Sequence, residues 1–380
     1  MKLLLLQDAV YLPTFGGGNK ANRLLLEGLA ARGHSCRVIA PALTTRAGPT
    51  TPEELRAQMT ERGVEVLEAS PAAYRLRHRG VEVEALLPTD LAAHGDLIRR
   101  RIAELHPDHV LVSDDKRHFL LASALDADPE RVVLLVHTLL HLPFGPLATE
   151  ASEEQTALVR RVPRIIAVSR YVQSFLRAAG LESTVLPFPV YGPGPFPNLG
   201  RPDRGFVTLV NPCAEKGLAI FLELAWRFPE IPFAAVPTWG AGEEELAQLA
   251  AVPNVQVLPA ADDIGEILAR TRVLLVPSLI PETFGYVATE ALLRGIPVLA
   301  ADIGGLPEAT VGVGCLLPVR PAERRDGRWV VPPQDVAPWS RVLGRLLADP
   351  ELYAARSRAS WEAAGRFVAG ADAAAFEAFL

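Results

Sequence analysis

Val273-Leu274-Leu275-Val276-Pro277-Ser278-Leu279-Ile280-Pro281-Glu282-Thr283-Phe284-Gly285-Tyr286-Val287-Ala288-Thr289-Glu290 is the stretch whose reading decides the fold. The unbroken aliphatic run Val273–Val276 stops at Pro277-Ser278, as a strand buried on both faces does. A carboxylate follows at Glu282, then a glycine at a helix start, then a second carboxylate, Glu290, one to two turns into that helix. The next apolar run, Ile296-Pro297-Val298-Leu299-Ala300, leads into Gly304-Gly305-Leu306-Pro307-Glu308. Strand, loop, helix and strand in this order put a glycine-marked helix start at the carboxyl edge of a parallel sheet, where α/β proteins bind ligands. Free N–H groups and the helix dipole there favour a phosphate. Eight residues of helix rise about 12 Å, so the two carboxylates would touch different parts of one long ligand. A nucleoside diphosphate sugar has that length, with hydroxyls at both ends.

Glu282 to Glu290 resembles the Glu-x7-Glu signature of family-4 retaining glycosyltransferases. The match includes the Phe284-Gly285 step, the Glu290-Ala291 pair, the strand Gly295-Ile296-Pro297-Val298-Leu299, and a double glycine followed three residues later by Glu308. Two glutamates at that spacing mean little alone; the ordered combination over about forty residues carries the resemblance. It implies the GT-B fold: α/β, two facing Rossmann-like domains with C-terminal helices crossing back to the first. It also implies a nucleotide-sugar donor as substrate, no metal and no cofactor.

The rest of the chain accommodates that expectation. A length of 380 residues favours two domains. A hydrophobic content of 49% and a mean hydropathy of +0.19 suit a well-buried α/β protein. A net charge of −6 gives no electrostatic footprint for nucleic acid. Cys36, Cys213 and Cys315 are too scattered for a metal site and too few for a disulfide framework, which points to a reducing cytoplasm. The apolar run Met1–Leu6 ends at Gln7-Asp8, short of the roughly 7–15 residues of a secretory core and the roughly 20 of a membrane span. It reads as a buried first strand. Contact with the inner face of a membrane stays open. Richness in Ala, Leu, Arg and Pro suggests a bacterial source.

Short apolar runs alternate with helical patterns in both halves, which implies right-handed crossovers and mostly parallel sheets. Expected strands are 3–7, 36–40, 64–67, 109–113, 132–137 and 165–169, then 206–210, 232–236, 255–258, 273–276 and 297–300. Between the halves, six prolines and four glycines from Pro187 to Gly205 exclude helix and central strand, so this reads as a stiff linker. The expected layout is a first, acceptor-side domain at 1–187, a linker at 188–205, a donor-binding domain at 206–360, and helices at 361–380 returning to the first. Asp326-Gly327 predicts a small hairpin turn, and Asp372 a cap on the last helix.

Further candidates follow the strand ends. Lys216, in Asn211-Pro212-Cys213-Ala214-Glu215-Lys216-Gly217, is expected just inside a helix start, where a cation would meet a diphosphate; the alternative is a solvated helix lysine. Where the family usually reads Gly-Arg…Lys-Gly, Lys216 matches the lysine and Asn211 stands in the place of the arginine. Arginine gives a bidentate, permanent charge that Asn cannot replace. Gly16, Gly17 and Gly18 precede a helix at 19–32 and resemble the N-terminal glycine-rich loop of GT-B enzymes; they are not a P-loop, since no Gly-Lys-Ser/Thr follows. His137 resembles the family histidine that contacts donor sugar or acceptor, against a plain structural hydrogen bond. His141 lacks a third ligand for zinc. Asp114-Asp115 reads equally as an acidic pair or a turn. Trp239 stacks on a base or packs on the sheet. The arginines at 75–79 and 99–101 read as solvated faces, or together as a site for anionic lipid or acceptor.

The resemblance implies these roles: Glu282 grips the sugar hydroxyls, Glu290 the ribose, and Lys216 with the amides of Phe284-Gly285-Tyr286 the leaving diphosphate. The leaving phosphate helps deprotonate the acceptor hydroxyl of a sugar, lipid-linked or natural-product acceptor. Two rivals stand beside this: a GT-B isomerase or hydrolase acting on the nucleotide sugar, and a non-catalytic sugar-nucleotide or glycan binder, which the Asn211 departure favours.

Overall fold

The computed structural model describes every residue except 15, 45–48, 114, 193, 326 and 327. The chain forms two compact units, Met1–Gly192 with Ala371–Leu380, and Pro193–Gly370.

The first unit is built on one nine-stranded sheet. Its strands are β1 Lys2–Gln7, β2 Ser35–Pro41, β3 Glu65–Ala69, β4 Ala73–His78, β5 Val81–Leu86, β6 His109–Ser113, β7 Val132–Val136, β8 Arg164–Ala167 and β9 Thr184–Val185. They lie in the order β3-β4-β5-β2-β1-β6-β7-β8-β9. β5, β2, β1, β6, β7, β8 and β9 run parallel. β1 is central, and Leu3, Leu4, Leu5 and Leu6 are each at most 2% exposed. The leucine run that opens the chain is therefore an interior strand, apolar throughout because both of its faces are covered.

The expectation had a strand at 64–67, matching β3, but missed β4 and β5, which complete an antiparallel ribbon with it. In β4 the residues alternate, Tyr74 and Leu76 buried and Arg75 and Arg77 exposed, which is the period of a half-buried strand. The arginines are not a free basic patch. Arg75 pairs with Glu68, Arg77 with Glu65 and Glu82, Arg79 with Glu27, Arg99 with Asp96, and Arg101 with Glu84 and Glu104. Their charge is matched locally, which favours the reading of these clusters as solvated faces.

The second unit carries a fully parallel sheet of β10 Phe206–Val210, β11 Phe233–Val236, β12 Val255–Val257, β13 Thr271–Val276, β14 Val298–Ala301 and β15 Cys315–Leu317. The order is β12-β11-β10-β13-β14-β15, so the winding reverses between β10 and β13. A reversal of that kind opens a crevice at the carboxyl ends of the two strands. In the first unit the same reversal falls between β1 and β6. β16 Glu323–Arg325 and β17 Arg328–Val330 pair antiparallel; the Asp326-Gly327 turn expected between them lies outside the described residues.

Two boundaries differ from expectation. The helix Pro350–Val368 is continuous, so the chain joins the first unit at 371 rather than 361. The proline-rich stretch is also less independent than a linker. Its breakers keep it irregular, and its polar groups find partners in the second unit. The Leu199 amide donates to the Arg294 carbonyl (2.7 Å), Trp361 Nε1 to the Phe196 carbonyl (2.9 Å), and the Arg201 amide to the Tyr353 hydroxyl (3.2 Å). Asp372 caps Ala373–Phe379 by accepting from the amides of Ala374 and Ala375. Among the described residues no helix is long and apolar enough to cross a membrane.

Candidate active site

In the second unit, β10 and β13 deliver their carboxyl ends side by side. Asn211 follows β10 directly and adopts the left-handed conformation (φ 61°). That conformation suits Asn better than most side chains. Its amide donates to the Val236 carbonyl (2.9 Å), and its Oδ1 accepts from the Gly240 amide (2.9 Å). Asn211 therefore ties the loop after β10 to the loop after β11. Gly240 must lack a side chain for this, since a Cβ there would sit 2.9 Å from Asn211 Oδ1 and 2.8 Å from Cys213 Sγ. Cys213 is buried, and burial pushes its thiol up to about 12, so it stays an unreactive thiol.

Lys216 closes a single 3₁₀ turn, Ala214–Lys216, and the following helix starts only at Leu218. It thus precedes the helix instead of lying inside it. Gly217 makes the change of direction at φ 82°, where an added Cβ would collide with the Pro277 carbonyl. That contact seats the Lys216 turn directly on the loop after β13. Lys216 Nζ bonds Glu282 Oε1 at 2.5 Å, and Ser278 Oγ donates to the same oxygen at 2.5 Å. Lys216 Nζ also lies 5.9 Å from the centre of the Trp239 ring. Trp239 is 41% exposed, an apolar face left beside a cation at the mouth of the sheet.

Glu282 sits in the loop before Tyr286–Leu292, so the helical rise of about 12 Å expected between the two glutamates does not apply. The loop is held by the glycine pair after β14. The Gly305 amide donates to the Glu282 carbonyl (2.6 Å), and a Cβ on Gly304 would lie 2.5 Å from that oxygen. Gly285 turns the chain into the helix at φ 99°. Phe284 is buried, stacked on Phe367 at 6.0 Å. Glu290 is 6% exposed on the inner face of the helix. Burial, with the Glu290 charge second, pushes the Tyr286 hydroxyl far above its usual range. Tyr286 is thus a neutral, buried phenol.

In the first unit, Gly16 caps the helix Gly17–Ala31 at φ 84°; Gly17 and Gly18 belong to its first turn rather than to a preceding loop. A Cβ on Gly18 would come within 2.8 Å of His137 Cβ. His137 follows β7 directly, its ring 4.5 Å from Phe188. Its Nε2 lies 2.8 Å from Oδ1 of the fully buried Asn22. A small recess beside it is lined by Asp115, His118, His137, Thr138 and His141, with leucines behind. Burial raises the Asp115 carboxyl to about 7 and lowers the His118 imidazole to about 4, so burial holds both toward their neutral forms. Asp114 lies outside the described residues.

The structure therefore gathers Asn211, Lys216, Trp239 and Glu282 at one strand reversal. It puts Phe284 and Gly285 at the entry to the helix that follows, Tyr286 and Glu290 on that helix, and Gly16, Gly17, Gly18 and His137 together in the first unit. The sequence reading missed Asn22, and it named Ser278, Gly217 and Gly304 only within longer motifs, without a role at the site. For Ser278 a signal existed, a hydroxyl four residues before Glu282 in a loop. Asn22 has none, since only the tertiary fold brings it to His137.

Residues 15–190 match the family model described as Glycosyltransferase Family 4, and residues 201–349 the one described as Glycosyl transferases group 1. The alpha-1,3/1,6-mannosyltransferase alg-2 of Neurospora crassa is 39% identical over 98 residues, 25% of this chain and 18% of that protein. A D-inositol 3-phosphate glycosyltransferase of Mycobacteroides abscessus is 29% identical over 270 residues, 68% of this chain and 48% of that one. The matched segment thus spans less than half of either relative's length. Among solved structures, Anabaena Alr3699/HepE in complex with UDP and glucose superimposes with a TM-score of 0.67 at 19% identity, covering 99% of this chain and 96% of that one. At that identity the likeness shows the fold.

Proposed function

We propose that the chain, whose two units match glycosyltransferase family models and share the fold of solved glycosyltransferases, is a retaining enzyme moving a sugar from a nucleoside diphosphate to an acceptor hydroxyl. The observation that carries this is the Lys216 cation, held by Glu282 beside the exposed Trp239 at the β10/β13 reversal. A diphosphate entering there meets Lys216 and the amides at Phe284–Tyr286, and an aromatic face for the base. A UDP donor is the first to test, because the Anabaena neighbour was solved with UDP and glucose.

In the proposed reaction the bond from the anomeric carbon to the leaving phosphate oxygen breaks. The acceptor oxygen bonds that carbon on the same face, and its proton passes to the departing phosphate. Lys216 stabilises the negative charge that grows on the diphosphate. Glu282, freed from Lys216 as the phosphate takes over that cation, accepts hydrogen bonds from the sugar hydroxyls. Buried Glu290 accepts from the ribose. No metal takes part, and the acceptor is a sugar, lipid-linked or natural-product hydroxyl. Incubation with a panel of nucleotide sugars and acceptors, with proton NMR of the product, tests this. A glycoside with the donor's anomeric configuration is expected; an inverted product, or hydrolysis alone with every acceptor, contradicts it.

A further inference from the structure

We infer that Asn22 is a positioning residue that fixes the tautomer of His137, through a chain of hydrogen bonds that begins at two backbone carbonyls after β1. Gln7 ends β1 with no exposure, and its Nε2 donates to the carbonyls of Ala9 (2.8 Å) and Val10 (3.4 Å). A carbonyl only accepts, so the amide of Gln7 can point only one way, with Oε1 turned to Asn22. Asn22, also unexposed, then presents Nδ2 to that oxygen (3.3 Å) and to Ser113 Oγ (2.9 Å). This leaves Asn22 Oδ1, an acceptor, 2.8 Å from His137 Nε2. The imidazole nitrogen facing it must carry the proton. In the neutral ring Nδ1 is then the lone-pair nitrogen.

Sequence placed these residues far apart, and none of the other three shares an element with His137. Three strand ends, β1, β6 and β7, bring Gln7, Ser113 and His137 to the strand reversal of the first unit, and the helix Gly17–Ala31 supplies Asn22. Gly18, one turn before Asn22, admits the His137 side chain by having none of its own. A buried network of this kind is costly unless every member is satisfied, and satisfied it holds one geometry. The tautomer follows from these hydrogen bonds alone and does not rest on the transferase reading.

Nitrogen-15 NMR of the histidine-labelled full-length protein decides it, with the His137 signals assigned by their loss in His137→Gln. At alkaline pH, where the ring is neutral, His137 is expected with Nε2 protonated and Nδ1 bare. Asn22→Ala should give a mixture of tautomers. It should also lower kcat on the order of 10²-fold through a misplaced ring, while nucleoside diphosphate affinity, set in the second unit, stays the same. A wild-type ring protonated at Nδ1 overturns the inference, as does an unmixed Nε2 tautomer in a folded Asn22→Ala. If that variant does not fold, the wild-type spectrum alone still decides. A protein inactive with every donor would defeat the transferase reading and leave this result standing.

Discussion

A single carboxylate oxygen, Glu282 Oε1, takes both the Lys216 ammonium and the Ser278 hydroxyl. Lys216 is the cation that this loop supplies, since Asn211 brings an uncharged amide whose Oδ1 is already bonded by the Gly240 N–H. The neutral pair in the first unit behaves differently and gives a pH test. Burial raises the Asp115 carboxyl to about 7 from 3.8, against the hydrogen bond from the Leu121 amide and with a smaller push from the Asp8 charge. The folded state therefore keeps a proton that the unfolded chain releases, and stability falls as pH rises from about 4 to about 7. Asp115→Asn should gain on the wild type across that window, levelling off above it, by at most about 4 kcal/mol. His118, lowered to about 4 from 6.5 by burial, has the opposite sign: it costs stability as pH falls through that range. His118→Gln should therefore gain on the wild type toward acid. Urea unfolding of both variants across pH checks the pair of slopes, and a flat difference for Asp115→Asn would contradict the burial argument. Residue types were legible here only where a motif fixed them. A motif singled out Lys216, Glu282 and Glu290, and the first two meet in the structure, whereas Asn22 and Ser278 owe their places to strand ends that meet in space.

Elements were more legible than side chains, because a parallel strand buried on both faces is an apolar run and little else is. β6 and β10 fall on their expected residues without change. The ribbon β4-β5 was lost because Arg75 and Arg77 in β4 and Glu82 and Glu84 in β5 alternate with its apolar residues, so its apolar alternation was masked by arginines and glutamates. The start of the helix after Lys216 was placed too early because a 3₁₀ turn and a left-handed glycine look like helix in sequence. Gly217 is where this matters. Its positive φ and its contact with the Pro277 carbonyl lock the Lys216 turn to the β13 loop. Gly217→Ala should cost at least about 1–3 kcal/mol, since neither the backbone conformation nor the carbonyl can yield cheaply. It should also weaken nucleotide binding by displacing Lys216. Denaturant titration with a parallel binding isotherm measures both, and an undisturbed variant would sink this account of how the lysine is placed.

At the scale of the molecule, two α/β units divide the chain where proline and glycine crowd, and the final residues 371–380 rejoin the first. That plan was readable from the change in composition; the point of return was not, because one long helix runs through the expected boundary at 361. The measurement that bears most directly on the central claim is thermal unfolding of the full chain with UDP, GDP, ADP, CDP and dTDP, on wild type and Lys216→Ala. A ligand at a hundred times its Kd adds about 2.7 kcal/mol, which at roughly 2–4 °C per kcal/mol raises Tm by several degrees. The account predicts such a rise with one nucleotide in the wild type and its loss in Lys216→Ala. No rise with any of the five, or an equal rise in both proteins, would contradict a diphosphate site at Lys216.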